Sequence, residues 1–103
     1  MKLIVRRGGG IAGIVARTEL DAAALPRQDA DEFAAKFDQA GLKNLEESRS
    51  TRGMPDAQLY DISWEESGQQ RSLHFTEESL PEGVRQLLGW VDGRAERVES
   101  IEL

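Results

Sequence analysis

The run RRGGGIAGIVARTEL at residues 6–20 leaves the start of this chain few ways to fold. KLIVRR before the glycines and GIVARTEL after them both alternate well enough to read as strands, the period of a ribbon with one buried face. The GGGIA between them is too short for a crossover connection, and its glycines supply the positive φ angles of a tight turn. The chain therefore opens with a β-hairpin. Its connection carries one bare aliphatic residue, Ile11, flanked by Gly9, Gly10, Ala12 and Gly13.

Beyond the hairpin the period changes. LPRQDADEF leaves the sheet, with Asp29 and Glu32 spaced as a capping box. Phe33, Phe37 and Ala40 fall on one helical face, and Gly41 is placed as a C-terminal stop. The polar segment 46–56, with Gly53 and Pro55, lacks apolar periodicity and reads as a long loop. Loops of that length inside a small domain are uncommon and often functional. LYDISWEE turns Tyr60, Ile62 and Trp64 inward as a third strand, SGQQ turns, and RSLHFTEE turns Leu73 and Phe75 inward as a fourth. Ser79 and Glu82 are spaced to cap a second helix, whose Val84, Leu87, Leu88 and Val91 match the apolar template. The tail RAERVESIEL spaces Ala95, Val98 and Ile101 at helical intervals, so that it either extends the second helix or docks against the body.

The expected fold is α+β, ordered ββαββα, a four-stranded antiparallel sheet with two helices on one face. A chain of 103 residues fits a single such domain. A first helix antiparallel to the second strand returns to the hairpin end. The hairpin connection, the 46–56 loop and the 76–81 turn are then expected at one end, with Gly68 at the other. Three loops meeting on one edge make a binding surface.

Chemistry narrows the function further. The absence of cysteine excludes disulfides, thiolate metal sites and a cysteine nucleophile, and suits a reducing compartment. No run approaches a membrane span and MKLIVRRGGG lacks the form of a signal peptide, so a soluble, cytoplasmic protein is expected. His74 is the one histidine and, by alternation, faces away from Leu73 and Phe75. No Ser-His-Asp set, no His-Glu-x-x-His motif and no Gly-Lys-Ser/Thr phosphate loop is present. We therefore expect no enzyme activity, no cofactor and no metal site. Residues 1–17 carry Lys2, Arg6, Arg7 and Arg17 and no acid. The remainder carries nine bases against nineteen acids, a net of −10, which argues against broad nucleic-acid binding.

The stretch MKLIVRRGGGIAGIVARTELDAAALP resembles the emfourin family, small bacterial inhibitors of thermolysin-like zinc metallopeptidases, protealysin among them. The resemblance extends over about residues 1–92, through Phe33 and Phe37, the Pro55-Asp56 approach to Tyr60 and Ile62, and SLPEGVRQLL. It departs at Gly8 and in the Arg- and Ser-rich loop 46–56. The resemblance implies a monomeric inhibitor that docks its glycine hairpin and the 46–56 loop into a peptidase cleft. Thermolysin-like enzymes prefer a bulky apolar side chain just beyond the scissile bond, which makes Ile11 the expected anchor. The glycines beside it let backbone approach the cleft closely. On the long loop Arg49, Arg52, Met54 and Asp56 are the expected contacts. Asp56, Glu46 and Glu47 also offer oxygen to the open fourth position of the enzyme's zinc. Two other classes compete: a protein-interaction module using an exposed strand edge, and an anionic-ligand or nucleic-acid binder using Lys2, Arg6, Arg7 and Arg17.

Overall fold

A computed structural model describes residues 1–9, 15–45 and 58–102. Its elements run β1 (Lys2–Gly9), β2 (Val15–Asp21), α1 (Arg27–Ala40), β3 (Gln58–Glu66), β4 (Gln69–Thr76), α2 (Glu82–Asp92) and β5 (Val98–Glu102). The strands form one sheet in the order β4-β3-β1-β2-β5, with every neighbouring pair antiparallel. The alternation read from the sequence is the alternation observed. Leu3, Val5, Leu20, Ile62, Trp64, Leu73 and Phe75 are all buried beneath the helices. Phe33, Phe37 and Ala40 of α1 and Val84, Leu87, Leu88 and Val91 of α2 face them. Phe33 stacks on Trp90, and Phe37 meets Trp64 edge-on at 5.4 Å, so the two helices share one aromatic seam with the sheet.

The sheet has five strands, not four. The tail does not extend the second helix; it docks against the body, as a strand: Val98–Glu102 pairs with β2, from Val15 opposite Glu102 to Glu19 opposite Val98. All five residues are exposed, Val98 at 56% and Ile101 at 62%. Three residues apart on a strand, Val98 and Ile101 point to opposite faces, and neither face is covered. The strand therefore leaves no two-fold hydrophobic signal, and the three-residue spacing imitates a helix. Arg94 holds the approach to it. Its guanidinium binds Asp29 at 2.7 Å and Glu96 at 3.0 Å and lies over the Trp90 ring. The hydrogen bond from Arg94 keeps the Glu96 carboxyl below its ordinary pKa, and donating to Glu96 and Asp29 raises that of Arg94.

Neither capping box forms. Each helix is instead led in by a Leu-Pro pair, with Pro26 and Pro81 as N-caps and no side-chain cap bond. Proline holds the preceding residue extended, which lets Leu25 and Leu80 insert into the core. Asp29, released from capping, is free for Arg94. The Ser79 hydroxyl instead accepts the Thr76 amide at 2.9 Å and closes the turn after β4. The predicted stop at Gly41 is observed, with a left-handed φ of 71°.

Gly83 and Gly89 stand in contrasting surroundings on α2. A Cβ on Gly83 would lie 3.2 Å from the Ala40 Cα and the Gln39 carbonyl oxygen, both rigid backbone of α1, whereas one on Gly89 would meet nothing within 4 Å. Relieving a helical glycine by alanine is worth up to about 1 kcal/mol. Gly89→Ala is therefore expected to raise the melting temperature by about 2–8 °C. Gly83→Ala is expected to lower it, because the helices must separate. Thermal melts of both variants check this, and a rise for Gly83→Ala would show that the interhelical contact yields.

Candidate functional site

Strand register fixes which ends meet. Gly8 lies opposite both Val15 and Leu59, and Gly9 opposite Gln58. Leu59 in turn pairs with Thr76. The described residues flanking the glycine connection, the start of β3 and the turn after β4 thus share one end, as expected. The opposite end carries Lys2 against Glu65 and the two-residue turn Ser67-Gly68, both with positive φ. At the glycine end Leu59 is 41% exposed.

One step of the expectation fails. Helix α1 does not return to the hairpin end. Its exit is held at the Gly68 end, where Lys43 binds Glu66 at 2.8 Å and its carbonyl accepts from Arg71 at 3.1 Å. The hydrogen bond to Glu66 is also the main cause of a raised Lys43 pKa. Helix α1 lies against α2, with Gly83 beside Ala40 at one end of the pair and Arg94 beside Asp29 at the other, so the helices run antiparallel. The chain before 46–57 therefore stops at one end of the sheet and resumes at the other, and only the trailing flank of this segment sits at the glycine end. Gly10, Ile11, Ala12, Gly13, Glu46, Glu47, Arg49, Arg52, Met54 and Asp56 lie outside the described residues. Gly9 ends β1.

The four N-terminal bases are each matched by an acid of this chain. Lys2 lies 3.8 Å from Glu19, Arg6 3.3 Å from Glu102 and Arg17 3.0 Å from Glu19. These three line the sheet face away from the helices. Arg7 points to the helix face and grips Asp92 with two bonds of 2.8 and 3.0 Å. A basic stripe free to take phosphates is not what these residues form, which removes the motive for an anionic-ligand reading. Beside the Arg7–Asp92 pair, a groove of about 200 Å³ is walled by Tyr60, Leu80, Arg85 and Leu88. His74 sits half-exposed on the open face with its Nε2 3.6 Å from Asp61. Among the described residues no group of three or more His, Asp or Glu side chains is placed to hold a metal ion, and no helix is long and apolar enough to cross a membrane.

Sequence reasoning missed the partners of the bases. The signal was present in the imbalance between a basic head and an acidic remainder: Asp92 and Glu102, which take Arg7 and Arg6, come from the last twelve residues.

Fold and site together define a small α+β domain with two helices on one sheet face, in which the flanks of a glycine-rich connection, the start of β3 and the turn after β4 share one end. The chain belongs to the Emfourin family, whose profile matches residues 5–92. No curated protein and no solved structure matches it. The matched span stops at the end of α2, so β5 lies beyond it.

Proposed function

We propose that this protein inhibits a thermolysin-like zinc metallopeptidase, docking the glycine hairpin and the 46–56 loop into the active-site cleft. Family membership is the observation that carries this reading, and the gathering of the hairpin, the start of β3 and the 76–81 turn at one end supports it. Ile11 fills the pocket for the residue beyond the scissile bond. The paired strands β1 and β2 hold the hairpin legs before binding, which limits the entropy lost on docking. Arg49, Arg52, Met54 and Asp56 extend the contact. The cleft is blocked by occupation, and this chain supplies no catalytic group of its own. The inhibitor acts as a monomer, in the cytoplasm.

Titration of thermolysin-like peptidases, one encoded by the same genome included, is expected to give stoichiometric inhibition, with no hydrolase activity from the protein alone. Undiminished peptidase activity at large molar excess across several such enzymes would sink the proposal. An interaction module using a strand edge is the second reading. The exposure of β5, an edge strand with Val98 on one face and Ile101 on the other, favours it.

A further inference from the structure

Arg6 and Arg17 are directly opposed across β1 and β2, one on each leg of the hairpin. Like charges in that position push strands apart. The structure sets a carboxylate against both. Glu102 Oε1 lies 3.3 Å from Arg6 Nε and 3.5 Å from Arg17 Nε. Glu102 is paired with Val15, the first described residue of the second leg, so β5 reaches the hairpin's base. The strand buries almost nothing: each of its residues is exposed. Its contribution is a hydrogen-bonded ladder along β2 and one carboxylate placed over two guanidinium groups.

We propose that β5 is a clasp on the base of the hairpin and that Glu102 is a positioning residue for inhibition. The docking part of this inference rests on the inhibitor reading above; the clasp does not. Glu102 neutralises the opposed arginines and keeps the legs paired before binding, so that less freedom is lost on docking. The clasp lies outside residues 5–92, the span that the family profile matches. All three side chains are partly exposed, 34%, 24% and 44%, so the effect is moderate and sensitive to salt.

The test uses full-length protein with Glu102→Gln. At low ionic strength, amide hydrogen exchange at residues 6–8 and 15–17 is expected to quicken by about 1.5- to 5-fold, the range of one partly exposed ion pair. Added salt, or a second change Arg17→Gln, is expected to restore much of the protection, because either removes the repulsion that Glu102 offsets. A residue that merely supports the edge strand would not be rescued by losing a second charge. Against a thermolysin-like peptidase the single variant is expected to bind more weakly by a similar factor, with the double variant partly recovered. Unchanged exchange in Glu102→Gln overturns the clasp. Faster exchange with unchanged inhibition overturns the positioning role. Failure of the unaltered protein to inhibit overturns the inhibitor reading, while the exchange comparison still decides the clasp.

Discussion

Ile11→Ala is expected to weaken inhibition of a thermolysin-like peptidase by about 10- to 150-fold while leaving the melting temperature almost unchanged. The size follows from the burial of one aliphatic side chain, about 1.5–3 kcal/mol, at about 1.4 kcal/mol per tenfold. The separation of binding from stability is what the inhibitor reading expects, with the stability carried by the described core. Phe33, Phe37, Leu3, Leu20, Leu42, Ile62 and Leu87 fill it to below 2% exposure, and the register of β1 and β2 is set by seven residue pairs that do not include residue 11. Ile11→Asp should hurt more, because an unpaired charge would enter an apolar pocket. Inhibition curves and thermal melts on the same samples check both. A sharp drop in melting temperature for Ile11→Ala would assign the side chain to the core. Wild-type inhibition would remove it from the contact and leave the 46–56 loop, with Met54 and Asp56, to carry the binding.

Much of the fold was legible because burial has a period. Tyr60, Ile62 and Trp64 alternate inward and are packed into or against the core, and the apolar faces read on α1 and α2 are their buried faces. Strand order then placed the glycine connection and the 76–81 turn together without any side-chain information. What escaped was structure with no buried face or with a partner distant in sequence. β5 is exposed on both sides, so its residues carry no pattern that packing imposes. The exit of α1 is set by Lys43 meeting Glu66 and Arg71, contacts across more than twenty residues of chain. The capping boxes were local patterns overruled by the adjoining Leu-Pro pairs, whose leucines gain more from burial than a cap contributes. Of the candidate contacts only Gly9 lies on a described element, so what was legible of the candidate site is a shared end of the sheet, fixed by strand order, and not the contacts themselves.

The opposite phenotype is expected of Phe37→Ala. Phe37 is 1% exposed, meets Trp64 at 5.4 Å with an interplanar angle of 70°, and has the Lys43 ammonium 5.8 Å from its ring centre. It joins α1 to β3 at a point where the sheet runs toward the Gly68 end, since Trp64 lies opposite Arg71 and Leu3. Removing a buried phenylalanine costs about 3–5 kcal/mol, a large part of the 5–15 kcal/mol typical of a whole domain. For a domain of this size that corresponds to a fall of about 15–30 °C in melting temperature. Yet the side chain is remote from Gly8, Leu59 and Thr76, which mark the docking end. At a temperature where the variant is still folded, inhibition per folded molecule should therefore match that of the unaltered protein. Heating should abolish inhibition in step with the loss of native circular dichroism. Ile11→Ala and Phe37→Ala thus form a pair, one losing contact without unfolding and the other unfolding without losing contact. A melting shift below about 5 °C for Phe37→Ala would mean that the aromatic seam does not hold α1 to the sheet. Loss of inhibition by a fully folded Phe37→Ala would extend the docking surface to the α1 end of the domain and overturn the assignment of binding to the glycine end alone.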